Sequence, residues 1–165
     1  KSVSIWTQGP TELQKLMTLD GIHKLRITSL AYHPSSPLLL TNSWDATMNI
    51  IDTRTGQTTF QINGHLCNYV NKLETGKAIF CSDGNYVAAG SHDGSVKIWD
   101  TRMLSNVATG EKPVDFFNAS NFPGGLVSTL VPTQQCTRCP VTALDWNVNG
   151  KQVVAVDQMN LVVYE

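Results

Sequence analysis

The sequence has little charge and almost none in excess. Of 165 residues, 15% are charged, with 12 Lys and Arg against 13 Asp and Glu. A net charge of −1 leaves no basic footprint of the kind that direct nucleic-acid binding needs. No run of 18 apolar residues occurs, which excludes a transmembrane helical segment. Only four cysteines are present, Cys67, Cys81, Cys136 and Cys139, too few for a domain of this size built on disulfides. A reduced, cytoplasmic or nuclear setting is therefore expected. The chain opens at Lys1 with the strand-like "KSVSIW", without a start Met or signal peptide, and reads as a cut piece of a longer chain. What remains is 41% hydrophobic, enough for one globular domain with a real core.

What is present is repetition. "ITSLAYHPSSPLLLTNSWDATMNIIDTRTGQ" from Ile27 and "GKAIFCSDGNYVAAGSHDGSVKIWDTRM" from Gly76 align at a constant offset of 48. Tyr32 meets Phe80, Ser43 meets Ser91, Asp45 meets Asp93, and Ile51-Asp52-Thr53-Arg54 meets Trp99-Asp100-Thr101-Arg102. A third copy starts at Val141, with Trp146 in the Tyr32 and Phe80 place. A partial copy opens the chain, where "KSVSIWTQ" matches "GSVKIWDT" and Trp6 takes the place of Trp99. Each copy holds short runs of β-branched and apolar residues separated by "SDGN", "HDGS" or "NVNG", which are hairpin-turn signals. Four strands of about five residues, repeated every 40–50 residues, are the arithmetic of a propeller blade.

"GSHDGSVKIWD" at 90–100 is a close match to the WD-repeat pattern, and the chain resembles a WD-repeat β-propeller over nearly its whole length. The expected fold is all-β, a partial propeller of about three and a half WD-type blades from a seven-bladed ring. Its parts are a partial blade at 1–20, blades at 21–63 and 64–117, a loop at 118–140 and a terminal blade at 141–165. The missing part of the ring is expected from the rest of a longer chain or from a second copy. "ELQKLM" at 12–17 has a helical look, but the repeat register makes it an outer strand.

The resemblance implies a structural hydrogen-bonded set in each blade: a His from the lead-in loop, a Ser or Thr on the second strand, an Asp in the turn and a Trp on the third strand. Carried over, it assigns His23, Ser43 and Asp45 to one blade, with Ile51 in place of the Trp, and Ser91, Asp93 and Trp99 to the next. These residues resemble a Ser-His-Asp triad by composition, but the register turns them into blade hydrogen bonds, and no catalytic residue is expected. The adjacent Trp44-Asp45 is then a coincidence of lettering. Trp44 precedes the turn Asp as His92 does one blade later, which aims both at the top rim. Trp44, His92 and Met48 are the expected partner-binding residues. Trp44 is either half-packed on a neighbouring loop or an anchor for a partner.

The order of "IDTRTG", an irregular insertion, "YVAAGSHDGSVKIW" and "VTALDWNVNGKQVVAVD" resembles the C-terminal half of the autophagy-related 16-like WD-repeat domain, over about residues 20–165. That resemblance implies a non-catalytic scaffold or adaptor in autophagosome formation that recruits conjugation machinery. Its partners would be proteins or peptides, with indirect association with membranes. The alternative is a WD-repeat subunit of a chromatin or other multiprotein complex. No cofactor and no metal are expected. "CTRC" at 136–139 has the spacing of half a zinc site, but no second ligand pair is suitably spaced, so unligated thiols are expected. The segment 118–140 reads as a long insertion, either mobile or a docking loop. "NAS" at 118–120 matches a glycosylation sequon that a cytosolic chain would not use.

Overall fold

Among the described residues, a hairpin, two four-stranded sheets and a three-stranded sheet follow one another along the chain. The computed structural model describes residues 1–104, 107, 123–131, 139–157 and 161–164. The hairpin is β1 (Ser2–Gln8) with β2 (Leu13–Asp20). The second unit is β3 (Ile27–Tyr32), β4 (Leu38–Ser43), β5 (Thr47–Asp52) and β6 (Gln57–Asn63). The third is β7 (Ala78–Phe80), β8 (Tyr86–Gly90), β9 (Val96–Asp100) and β10 (Leu126–Leu130). The last is β11 (Ala143–Trp146), β12 (Val153–Val156) and β13 (Leu161–Tyr164). All neighbours pair antiparallel and in sequence order.

The repeat seen in the letters is a repeat in register. Leu39 pairs with Ile51 in one sheet, and Val87 pairs with Trp99 in the next, 48 residues on. The turns repeat too. Asp45 accepts from the Thr47 N–H at 3.0 Å and its hydroxyl at 2.6 Å, and Asp93 accepts from Ser95 at 2.9 and 2.6 Å. At the opposite strand ends, Asp52 and Asp100 each clasp the Arg two residues later, with Nη2 at 2.6 Å in both.

The core lies between sheets rather than inside one. Alternation along each strand sends one face to the preceding sheet and one to the following. Val3, Ile5 and Leu19 meet Leu39 and Ile51. Leu40, Met48, Ile50 and Ile62 meet Phe80, Val87 and Trp99. Ile79, Ala88 and Val96 meet Val141, Leu144, Val153 and Ala155. A polar seam reinforces the middle junction: the Tyr69 hydroxyl donates to Asn42 Oδ1 at 3.1 Å, and Asn42 Nδ2 donates to the Gly76 carbonyl at 3.3 Å. Burial pushes the Tyr69 hydroxyl well above its ordinary pKa, so it stays a donor.

Two expectations change here. Segment 118–140 was expected to be all loop, yet it contains β10, the outer strand of the third sheet, where "LVSTL" pairs with β9. The Gly- and Pro-rich surroundings hide a strand whose partners, from Leu126↔Trp99 to Leu130↔Val96, are 27 to 34 residues away in sequence. Met48 was expected at the top face, but it is fully buried. It lies one residue inside β5, on the face turned to the next sheet, where strand alternation forbids it the rim.

Gly64 shows how closely the junction is built. It donates to the Ala46 carbonyl and accepts from the Tyr69 N–H, both at 2.9 Å. A methyl placed there would sit 2.5 Å from both the Ala46 oxygen and the Tyr69 ring. Gly64→Ala is expected to cost about 1–3 kcal/mol by overpacking, read as a lowered midpoint in denaturant melts of the full-length protein.

Candidate functional site

The turn joining β4 to β5 is Trp44-Asp45-Ala46, and the chain before β3 crosses it. His23 enters there and is buried. Its Nε2 lies 2.8 Å from Thr41 Oγ1, and its Nδ1 lies 3.0 Å from Thr47 Oγ1 and 3.3 Å from Asp45 Oδ2. Thr47 already donates its hydroxyl proton to Asp45. With the ring neutral, Nδ1–H is donated toward Asp45 and Thr47, and Nε2 lies against Thr41 Oγ1, whose hydroxyl also reaches the Asn49 carbonyl at 3.3 Å. Burial lowers the His23 pKa, and the Asp45 carboxylate only partly offsets it. For Asp45, burial works against ionisation, but donors from Thr47 and the Lys24 N–H outweigh it and lower its pKa.

The hydroxyl assignment needs correction. Ser43 is buried, but its oxygen accepts from the Asp45 N–H at 3.2 Å and makes no bond to His23. Thr41, two residues earlier on the same face of β4, holds the imidazole. Thr47 was also missed, although the recurring Asp-x-Thr and Asp-x-Ser, 48 residues apart, was a signal for it.

In the next blade Ser91 bonds the Val70 backbone and Asp93 bonds Ser95. No imidazole joins them among the described residues. Lys97, itself buried, brings its Nζ to 4.0 Å from Asp93 Oδ2 instead. Trp99 is fully buried, and among the described residues its Nε1 faces only the Cys67 sulfur, outside ordinary hydrogen-bond geometry. Ile51, in the matching slot one blade earlier, is equally buried.

Trp44 is half-buried. Its Nε1 donates to the Leu73 carbonyl at 2.8 Å, and the Arg26 guanidinium stands 5.3 Å over its ring while also pairing with Glu74. The packed alternative of the two sequence readings thus describes one face of the indole. Trp44 also lines a groove of about 760 Å³, shared with His23, Leu25, Asp45, Gln61 and His65. That volume falls within the range of about 300–1,000 Å³ typical of ligand and peptide sites. Leu25 is 49% exposed there, and His65 Nε2 is bonded to the Asp45 carbonyl at 3.0 Å. His92 is exposed on the next blade, its N–H held by the Val70 carbonyl at 2.7 Å.

The cysteines depart from expectation. Cys139 is disulfide-bonded rather than a free thiol, and Cys136 and the sequon at Asn118 lie outside the described residues. Cys67 and Cys81 are free and buried, and burial raises the pKa of both thiols. Among the described residues no cluster of three or more His, Cys, Asp or Glu is arranged to hold a metal ion. No helix among them is long and apolar enough to cross a membrane.

Consecutive four-stranded antiparallel sheets, stacked face to face and each carrying an Asp turn at one end, define a partial β-propeller. The repeat model described as "WD domain, G-beta repeat" matches residues 13–52 and 56–100, and the chain belongs to the WD40-repeat family. It is similar to Autophagy-related protein 16 of Arabidopsis thaliana, 36% identical over 150 residues, which cover 90% of this chain and 24% of that protein. It is similar to Protein Atg16l2 of Mus musculus, 31% identical over 166 residues, 99% of this chain and 22% of the relative. Ribosome biogenesis protein YTM1 of Scheffersomyces stipitis is 38% identical over 88 residues, 50% of this chain and 18% of the relative. The chain thus spans less than a quarter of the length of each. Among solved structures, Sqt1 from Chaetomium thermophilum matches at a TM-score of 0.67 and 23% identity, over 92% of this chain and 37% of that one, which shows the same fold.

Proposed function

We propose that this chain is part of a non-catalytic WD-repeat scaffold that docks protein partners on its Trp44 face, in the cytoplasm, during autophagosome formation. The observation that carries the docking role is the groove beside Trp44, where a half-exposed indole and an exposed Leu25 stand over a satisfied His23–Asp45 floor. A floor whose polar groups already bond one another offers positioning rather than chemistry. Similarity to the Atg16 relatives across 90–99% of the chain supports the autophagy setting. The YTM1 match reaches half the chain and lies in the repeat class, so ribosome assembly is the weaker reading.

Further blades are part of the proposal. Trp6 occupies the repeat position of Trp99, yet it is 55% exposed where Trp99 is fully buried. A neighbouring blade on that side would bury it as the second blade buries Trp99.

Cells lacking the full-length protein, resupplied with Leu25→Arg or His92→Ala, test the function. Leu25→Arg is expected to abolish partner recovery and to reduce lipidation of the ubiquitin-like autophagy protein several-fold at unchanged protein level. His92→Ala is expected to have a smaller effect. Normal lipidation with both variants would remove the docking role from this face.

A further inference from the structure

The groove beside Trp44 has an electrostatic sign. Its lining contributes one ammonium, Lys24, and one carboxylate, Asp45. The carboxylate is already engaged. Asp45 Oδ1 accepts from the Thr47 N–H and hydroxyl at 3.0 and 2.6 Å. Its Oδ2 accepts from the Lys24 N–H at 2.8 Å and faces His23 Nδ1 at 3.3 Å. Glu74 pairs with Arg26, whose guanidinium stands over the Trp44 ring. At the Gly21 edge, Asp20 is offset by Lys1, whose carbonyl accepts from the Gly21 N–H. One blade on, Asp93 is held by Ser95 and faces Lys97.

Two cations are not engaged. His23 and Asn71 stand 48 residues apart and both are buried, Asn71 with its Nδ2 donating to Thr28 Oγ1 at 2.9 Å. The residue after each is a lysine, and both Lys24 and Lys72 are exposed. Neither ammonium has a partner among the described residues. Lys24 lines the groove with Trp44. Lys72 precedes Leu73, whose carbonyl accepts the Trp44 indole N–H at 2.8 Å. Two consecutive blades thus each bring a free lysine to the neighbourhood of one indole, on a chain whose net charge is −1.

We propose that the occupant of this groove is an acidic linear segment of a partner protein, a reading that rests on the docking role of the Trp44 face. One apolar or aromatic side chain packs against Trp44 and Leu25, and carboxylates flanking it meet Lys24 and Lys72. A basic segment would meet two ammoniums and find the neighbouring carboxylates already bonded. An anionic membrane surface would satisfy the lysines but leave a concave groove of about 760 Å³ unfilled.

The test uses the full-length protein and fluorescein-labelled peptides Gly-Asp-Glu-X-Glu-Asp-Gly, with X Phe, Leu or Trp, read by fluorescence anisotropy at low salt. At least one is expected to bind, at least about tenfold more tightly than its amide twin Gly-Asn-Gln-X-Gln-Asn-Gly, and more weakly as salt is added. Lys24→Glu and Lys72→Glu, at exposed positions, are each expected to weaken binding severalfold with the melting midpoint unchanged. Equal binding of acidic and amide peptides, or unchanged binding to both lysine variants, would overturn the proposal. So would capture on phosphatidylserine vesicles without binding of any acidic peptide, which would assign the lysines to a membrane surface. Partner recovery from cells separates this outcome from the docking role. Recovery lost with Leu25→Arg but kept with both lysine variants removes the acidic partner and leaves the docking face in place.

Discussion

Trp99→Ala is expected to cost about 3–5 kcal/mol of stability, the range for deleting a fully buried large aromatic side chain. Trp99 is the largest fully buried side chain among the described residues, and it meets Tyr69 in a T-shaped contact at 5.5 Å. Such a contact adds about 0.5–1.5 kcal/mol beyond burial. The more discriminating substitution is Trp99→Phe. Among the described residues the indole N–H faces only the Cys67 sulfur, a weak acceptor outside ordinary hydrogen-bond geometry, and a poorly satisfied buried donor costs about 1–3 kcal/mol. Phenylalanine removes that donor while keeping most of the ring, so its cost should be well under half that of alanine. Urea unfolding of the full-length protein measures both. If phenylalanine proves as damaging as alanine, the indole N–H is bonded and the junction is built differently.

His23→Ala should rank next, with a loss on the order of 3 kcal/mol, because Thr41, Thr47 and Asp45 lose a shared buried partner together. It should also change how stability follows pH. The folded-state pKa of His23 lies below 6.5, so the unfolded chain takes up the proton first as pH falls. The wild-type contribution is fully present above about pH 6.5 and declines as pH drops below it. Asp45, with its own pKa lowered from 3.8, withdraws its contribution only at more acidic pH. The alanine variant should therefore lose the slope that begins as pH falls below about 6.5 and keep the one that begins below about 3.8. Denaturation midpoints across that range would show an unchanged slope in the variant if His23 were not held neutral.

Much of this architecture is legible in the sequence. The offset of 48 placed Asp45 with Asp93 and Ile51 with Trp99, and the sheets pair those positions alike. That holds because hairpin turns and strand alternation are local rules that repeat when the letters repeat. The failures are non-local. Ser43 and Thr41 share a face of β4, and only the height at which His23 enters decides between them. Met48 is expected at the rim with Trp44 and His92, but one step into a strand reverses which sheet a side chain addresses. β10 was missed because its pairing partner is distant in sequence. Lys97 gave no signal at all, since a lysine in a strand ordinarily reads as exposed.

The Leu73 carbonyl that Trp44 holds belongs to the segment that leads into β7. The same indole thus serves as a latch between two blades and as a wall of the groove. A ligand in the groove that rotates this ring would release the latch, whereas one that packs against it in place would tighten it. Amide exchange across residues 71–76, faster in the first case and slower in the second, would show from the neighbouring blade how the groove has been filled.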